Sequence, residues 1–229
     1  MSKKTIFKQP TGMAGFTIVW AGQLVSVLAS SMTQFGLTIW AYQETGSAVA
    51  LGLMQTAFIV PFLLLSPFAG VWVDRYNRKI MMMVSDLAAI SATAGILVLS
   101  LTGNLQIWHL YVASVINGLG NTFQWPAYSA TISTMLPREK YNRANGMMSL
   151  VESGPGVLAP LLAGILLPFI HLTGILFLDV ATFIIAIISL LLVHIPQPAR
   201  TQEGEAGRGS LLREAAFGFQ YIFTRKGLL

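Results

Sequence analysis

The sequence predicts an all-α integral membrane protein: a bundle of six transmembrane helices, then a cytoplasmic amphipathic helix. Three observations carry this. Of the 229 residues, 54% are hydrophobic and only 10% are charged, where soluble domains carry about 25% charged residues. A polar surface cannot be built from that composition, so lipid is the solvent. Six apolar stretches each reach the roughly 20 residues that cross 30 Å of hydrocarbon as a helix. All 14 Lys and Arg residues fall on one side of those stretches. Lys3, Lys4 and Lys8 precede the first; Arg75, Arg78 and Lys79 lie between the second and third; Arg138, Lys140 and Arg143 lie between the fourth and fifth; the rest follow the sixth. This is the positive-inside pattern of a multi-pass protein of the cell membrane with both termini cytoplasmic.

The spans follow in order. The first covers residues 16–41, too long for a signal-peptide core and followed by five more, so no cleaved leader is expected. It stops at the turn Glu44-Thr45-Gly46-Ser47. The second covers 48–73, with Trp72 near its inner interface. The third covers 80–101 and ends at Thr102-Gly103-Asn104. The fourth covers 107–131, with Trp108 near the outer interface and Pro126 expected to kink it. The fifth covers 144–168 and is expected to be irregular at Gly154-Pro155-Gly156 and Pro160. The sixth covers 174–194 and gives way to Pro196 and Pro198. A Gly-rich polar linker, 201–210, leads to a helix in which Leu211, Leu212, Ala215, Phe219 and Ile222 share one face. The domain division is therefore 1–195, the bundle, and 196–229, a linker and helix leading towards a further half. An apolar run begins at Gly227-Leu228-Leu229.

Polar residues recur inside the spans at helical spacing. Gln23, Ser26, Ser30 and Gln34 fall on one face of the first span, and Asn117, Asn121, Gln124 and Tyr128 on one face of the fourth. Asn145, Ser149 and Glu152 repeat the pattern in the fifth. Such stripes are costly against lipid, so they face protein or water. They serve either as interhelical hydrogen bonds, about 0.6 kcal/mol each, or as the wall of a solvated substrate cavity. Three acids lie within spans: Asp86, Glu152 and Asp179. No Lys or Arg lies in any span to pair with them, which makes them candidates for proton coupling, Glu152 first because it is mid-span on a polar face. The alternative for each is a neutral acid donating a structural hydrogen bond. Ser114, Gly118 and Gly120 allow helix backbones to approach closely.

Other chemistries are not encoded. There is no cysteine, hence no disulfide framework and no thiolate metal site. No metal-ligand spacing, nucleophile elbow or phosphate-binding loop is present, so neither an enzyme nor a cofactor is expected. The net charge of +5 sits in short clusters at membrane edges, which suits anionic headgroups rather than nucleic acid.

The junction Gly70-Val71-Trp72-Val73-Asp74-Arg75-Tyr76-Asn77-Arg78-Lys79 resembles the G-x-L-x-D-R-x-G-R-K loop of the major facilitator superfamily. Gly70, Asp74, Arg75, Arg78 and Lys79 match; Trp72 replaces Leu, and Asn77 replaces a Gly whose left-handed conformation Asn tolerates. The resemblance implies a gating loop whose charges engage helix dipoles and ion pairs in one state and release them in another. Ala159-Pro160-Leu161-Leu162-Ala163-Gly164 resembles the antiporter pattern G-P-x-x-G-G, with Ala for two glycines. Ser114 stands where R-x-x-x-G would carry its Arg. The texture of Tyr42–Ala48 and of the 137–146 loop is similar to the macrolide-efflux and enterobactin-exporter branch. The resemblance covers the first half of a twelve-span transporter, a bundle of two inverted three-helix repeats. It implies an exporter of small amphipathic molecules working by alternating access. Spans one and four would line the cavity, two and five flank it, and three and six face lipid. The partners would be substrate, bilayer, and a C-terminal six-helix half or a second copy. The rival expectation is a membrane module that transports nothing.

Overall fold

A computed structural model of the chain describes residues 10–197. The amphipathic helix expected after residue 210, the 201–210 linker and the lysines before Pro10 lie outside the described residues. Five α-helices follow one another: α1 Gly12–Thr45, α2 Ala48–Arg75, α3 Arg78–Leu101, α4 Ile107–Met135 and α5 Tyr141–Leu192. A single 3-10 turn, Arg138–Lys140, joins α4 to α5.

The caps explain the short connections. Gly46 closes α1 in the left-handed conformation at φ 61°, its N–H bonded to the carbonyl of Tyr42 at 2.8 Å. Asn77 opens α3, its side chain accepting from the backbone N–H of Lys79 at 3.0 Å and Ile80 at 3.3 Å. Its φ of −67° corrects the expectation of a left-handed turn there: Asn77 replaces Gly because it caps, not because it bends. Gln106 opens α4 in a reciprocal capping box with His109.

The helix boundaries differ from the expected spans. Each of α1 to α4 runs past the expected apolar limits at one or both ends, because a helix continues into the headgroup layer until a cap stops it. Expected span five falls within α5, 52 residues long, and expected span six outruns its end at Leu192 by two residues. The irregularity expected at Gly154-Pro155-Gly156 and Pro160 is not there: both prolines lie in helical backbone, and the non-helical residue is His171, at φ 55° and ψ 179°. A proline in a membrane helix removes one hydrogen bond, which local adjustment can re-satisfy; His171 instead breaks the dihedral pattern. Around it, Gly174 packs so tightly that an added Cβ would stand 2.6 Å from Cβ of Ile170. The two arms of α5 run in opposite directions and reach the same end of the bundle. Ala144, Met148 and Val151 of the first arm share one buried cluster with Leu190 of the second and with Val193 just beyond it.

Three buried clusters hold the bundle. One, at the end carrying Arg75, Arg78 and Arg138, joins Phe16, Val73, Met82, Tyr128 and Leu190. A second, at the opposite end, joins Ala41, Met54, Ile96, Leu110 and Leu176. The third joins Met32 of α1 to Ala159, Ala163 and Ile175 of α5. The alanines of the antiporter-like segment thus let α5 approach α1. The bundle's outside is apolar: Leu64, Val157, Ile165 and Phe169 are each more than half exposed. Four helical segments, Gly12–Thr45, Ala48–Val73, Arg78–Leu101 and Arg138–Leu192, are long and apolar enough to cross a membrane. At 29 residues α4 has the length; Asn117, Asn121 and Gln124 make it less apolar.

Candidate functional site: a polar cavity at the centre of the bundle

A cavity of about 300 Å³ opens between α1, α2, α3, α4 and the second arm of α5. Gln23, Ser26, Ser30 and Gln34 of α1 line it, with Asn117, Asn121 and Gln124 of α4. Seven of the eight expected cavity residues therefore converge. The eighth, Tyr128, does not: it is 2% exposed and packs in the core between Phe16 and Trp125, at ring distances of 6.4 and 6.2 Å. The helix turn that carries it has passed below the cavity floor.

The convergence has a steric cause. Gly118 of α4 lies against the backbone of Phe58 in α2, where an added Cβ would collide with the Phe58 carbonyl oxygen. Gly22 of α1 lies against Ser189 of α5, whose Oγ would be 2.5 Å from an added Cβ. At these crossings the small residues let the helix backbones approach closely. Trp72 of α2 stacks on Phe123 of α4 at 4.9 Å, a contact that a Leu in that place would not make.

Two carboxyls stand in the cavity wall. Asp86 of α3 is held by amides: Gln23 Nε2 donates to its Oδ2 at 3.0 Å and Gln124 Nε2 to its Oδ1 at 3.0 Å. Gln124 Nε2 also donates to Gln23 Oε1 at 2.9 Å, so three helices meet in one knot. Asp179 of α5 is held by hydroxyls: Ser30 Oγ donates to Oδ1 at 2.8 Å and Thr93 Oγ1 to Oδ2 at 3.2 Å. Among the described residues, no Lys, Arg or His lines this cavity, so both carboxyls face it without a described basic counterpart in its wall. Glu152, the acid favoured from sequence, is exposed on the first arm of α5 and does not line the cavity.

The wall also differs from the expected division of labour. Span three was expected to face lipid, yet α3 contributes Ser85, Asp86, Ala92 and Thr93 to the cavity; span six was expected to do the same, yet the second arm of α5 contributes Asp179 and Phe183. Of α2, Gln55 and Phe58 reach it. Thr33, Gln55, Ser85 and Thr93 were not singled out from sequence. Thr93 lies seven residues after Asp86 and Thr33 seven after Ser26, the same spacing that identified the stripes.

At the basic end, the gating-like loop knits four helices. Gly70 is in the body of α2 with open space beside it, and Asp74 lies in the last turn of that helix. Arg75 is its final residue. Arg78 is 7% exposed and donates from Nη1 to the Ala130 carbonyl of α4 at 3.0 Å. Lys79 Nζ donates to the carbonyls of Leu191 at 3.2 Å and Val193 at 2.8 Å, placing a cation on the C-terminal end of α5, where the helix dipole is negative.

An all-helical bundle with an apolar exterior and a polar interior cavity is the build of a multi-pass membrane protein. This chain belongs to the Major Facilitator Superfamily, whose family model matches residues 19–229. It is 28% identical over 214 residues to Macrolide efflux protein A of Streptococcus pyogenes, covering 93% of this chain and 52% of that protein. It is 28% identical over 184 residues to Macrolide efflux protein A of Enterococcus faecalis, covering 80% and 56%. To Multidrug resistance protein MdtG of Salmonella dublin it is 29% identical over 185 residues, covering 78% and 44%. The chain spans about half the length of the curated relatives it matches.

Proposed function

We propose that this chain forms the N-terminal six-crossing bundle of a secondary active exporter of small amphipathic compounds, working by alternating access. The two arms of α5 count as separate crossings, so α1 to α3 and α4 to α5 form two repeats of three. The basic end faces the cytoplasm. The cavity is half of a substrate chamber that a second six-crossing bundle, or a second copy of this one, completes. Ion coupling acts through the carboxyls that line the cavity, Asp86 and Asp179. The loop holding Asp74, Arg75, Arg78 and Lys79 is the cytoplasmic latch. The names of the relatives support export, and a cavity with few polar groups in a largely apolar wall suits amphipathic cargo.

One observation carries the transport reading over a merely structural one. Among the described residues, Gln34 and Asn121 form no side-chain hydrogen bond to another helix, although both line the cavity. Gln23, Gln124 and Ser30 glue helices together; Gln34 and Asn121 do not. In vesicles holding this chain with the second half of a macrolide efflux relative, Gln34→Leu and Asn121→Leu are expected to lower macrolide efflux at least fivefold while leaving the melting temperature unchanged. Unchanged efflux with lowered stability would favour the non-transporting module. Residues 1–229 reconstituted as a monomer are expected to give no sustained flux.

A further inference from the structure

The surroundings of Asp179 differ in kind from those of Asp86. Asp179 is 1% exposed and meets hydroxyls from two other elements: Ser30 of α1 and Thr93 of α3, at 2.8 and 3.2 Å. A third hydroxyl, on Thr33, turns to the same carboxyl but completes no hydrogen bond. Thr33 is itself 5% exposed, so it is a buried polar group without a partner, and such groups are rare unless something else engages them.

The chemistry of this group fits a small hard cation. A hydroxyl donates through its hydrogen and accepts through two lone pairs. Rotation about the Cβ–O bond turns Ser30 and Thr93 from donors to the carboxylate into ligands beside it, with no helix movement. Carboxylate and hydroxyl oxygens are hard ligands that disfavour soft metals. Within this group one carboxylate balances one positive charge; the cavity's other carboxyl, Asp86, is held by Gln23 and Gln124, and among the described residues no basic side chain lines the cavity. A divalent ion would leave an uncompensated charge in a low-dielectric site, which is costly. A proton on one carboxyl oxygen offers a donor to one hydroxyl at most, whereas a cation takes lone pairs from all three. We propose that Asp179, Ser30, Thr33 and Thr93 form a binding site for one alkali-metal cation, Na+ in the first instance, that joins α1, α3 and the second arm of α5.

Thr33 supplies the decisive variant, because its hydroxyl has no hydrogen bond to lose. The test is binding of radioactive Na+ to the purified chain in lipid nanodiscs, with choline chloride holding ionic strength constant. Wild type is expected to bind saturably, with unlabelled Na+ displacing the label and choline not. Asp179→Asn is expected to abolish binding. Thr33→Val is expected to weaken it at least about tenfold, since even outer-shell partners are worth that much to metal affinity, with an unchanged melting temperature in choline. No saturable binding by wild type, or equal affinity in Thr33→Val, would overturn the site. The inference does not require export. Absent Na+ binding alongside intact flux sinks it and spares the transport reading, whereas Na+ binding without flux does the reverse.

Discussion

Gln23 ties three helices with one side chain: its Nε2 donates to Asp86 of α3 and its Oε1 accepts from Gln124 of α4. Replacing it by Leu removes both bonds and leaves Gln124 and Asp86 short of partners inside the bundle. The expected loss is about 1–3 kcal/mol, the cost of a buried polar group left unsatisfied. Urea midpoints in mixed micelles would show it. Gln34→Leu, on the same face of α1, is expected to stay within about 0.5 kcal/mol of wild type, as for a side chain without a partner. Equal losses in the two variants would contradict the division between gluing and lining residues. Helical spacing made these two residues legible in the sequence, since residues three and four apart share a face. It could not say which member is bonded, because that depends on which neighbour arrives opposite. Thr33 and Thr93 were harder still. Membrane Ser and Thr commonly bond their own backbone one turn back, as Thr17 does to Met13, Ser31 to Val27 and Thr38 to Gln34. The residues whose hydroxyls turn away from the backbone carry no mark in the sequence. Glu152 shows the converse limit: its stripe was real, but a stripe gives the polar side of a helix and not the direction that side faces.

At the scale of elements, the α2–α4 crossing depends on Gly118. An added Cβ there would overlap the carbonyl oxygen of Phe58, and backbone cannot swing aside as the tip of a side chain can. Gly118→Ala is therefore expected to cost about 1–3 kcal/mol, the range for overpacking, and to shift the thermal midpoint down in detergent. Gly146, on α5, has nothing within 4 Å of its would-be Cβ, so Gly146→Ala is expected to be neutral or slightly stabilising through helix propensity. A neutral Gly118→Ala would mean that α2 and α4 are further apart than described. The small residues of α4 announced this close approach in the sequence. The reversal in α5 falls at His171, inside the gap the sequence left between spans five and six at residues 169–173, although no Gly, Pro or Asn stands between Phe169 and Thr173 to mark the residue itself. His171 makes the turn in a dihedral region that glycine normally occupies, and Gly174 supplies the space beside Ile170.

The whole molecule turns on the number of crossings. At 52 residues, α5 drawn straight would be roughly 78 Å long, more than twice the ~30 Å of hydrocarbon. It cannot lie across a bilayer as one rod. On the proposed reading each arm, folded at His171, makes one crossing, and both Tyr141 and Leu192 lie at the basic end. The charge pattern orients the bundle on that same reading, because every described Lys and Arg sits at that end. The chain has no cysteine, so single cysteines can be placed without first removing native ones. Asn104→Cys in the α3–α4 connection, Phe169→Cys beside the break in α5 and Glu139→Cys at the basic end all fall at exposed positions. A membrane-impermeant maleimide added to intact cells is expected to label the first two, and to reach Glu139→Cys only after the membrane is opened. Labelling of Glu139→Cys from outside would invert the orientation. An unlabelled Phe169→Cys in a chain that still labels at Asn104→Cys would place the break within the bilayer, and the count of six crossings would fall with it.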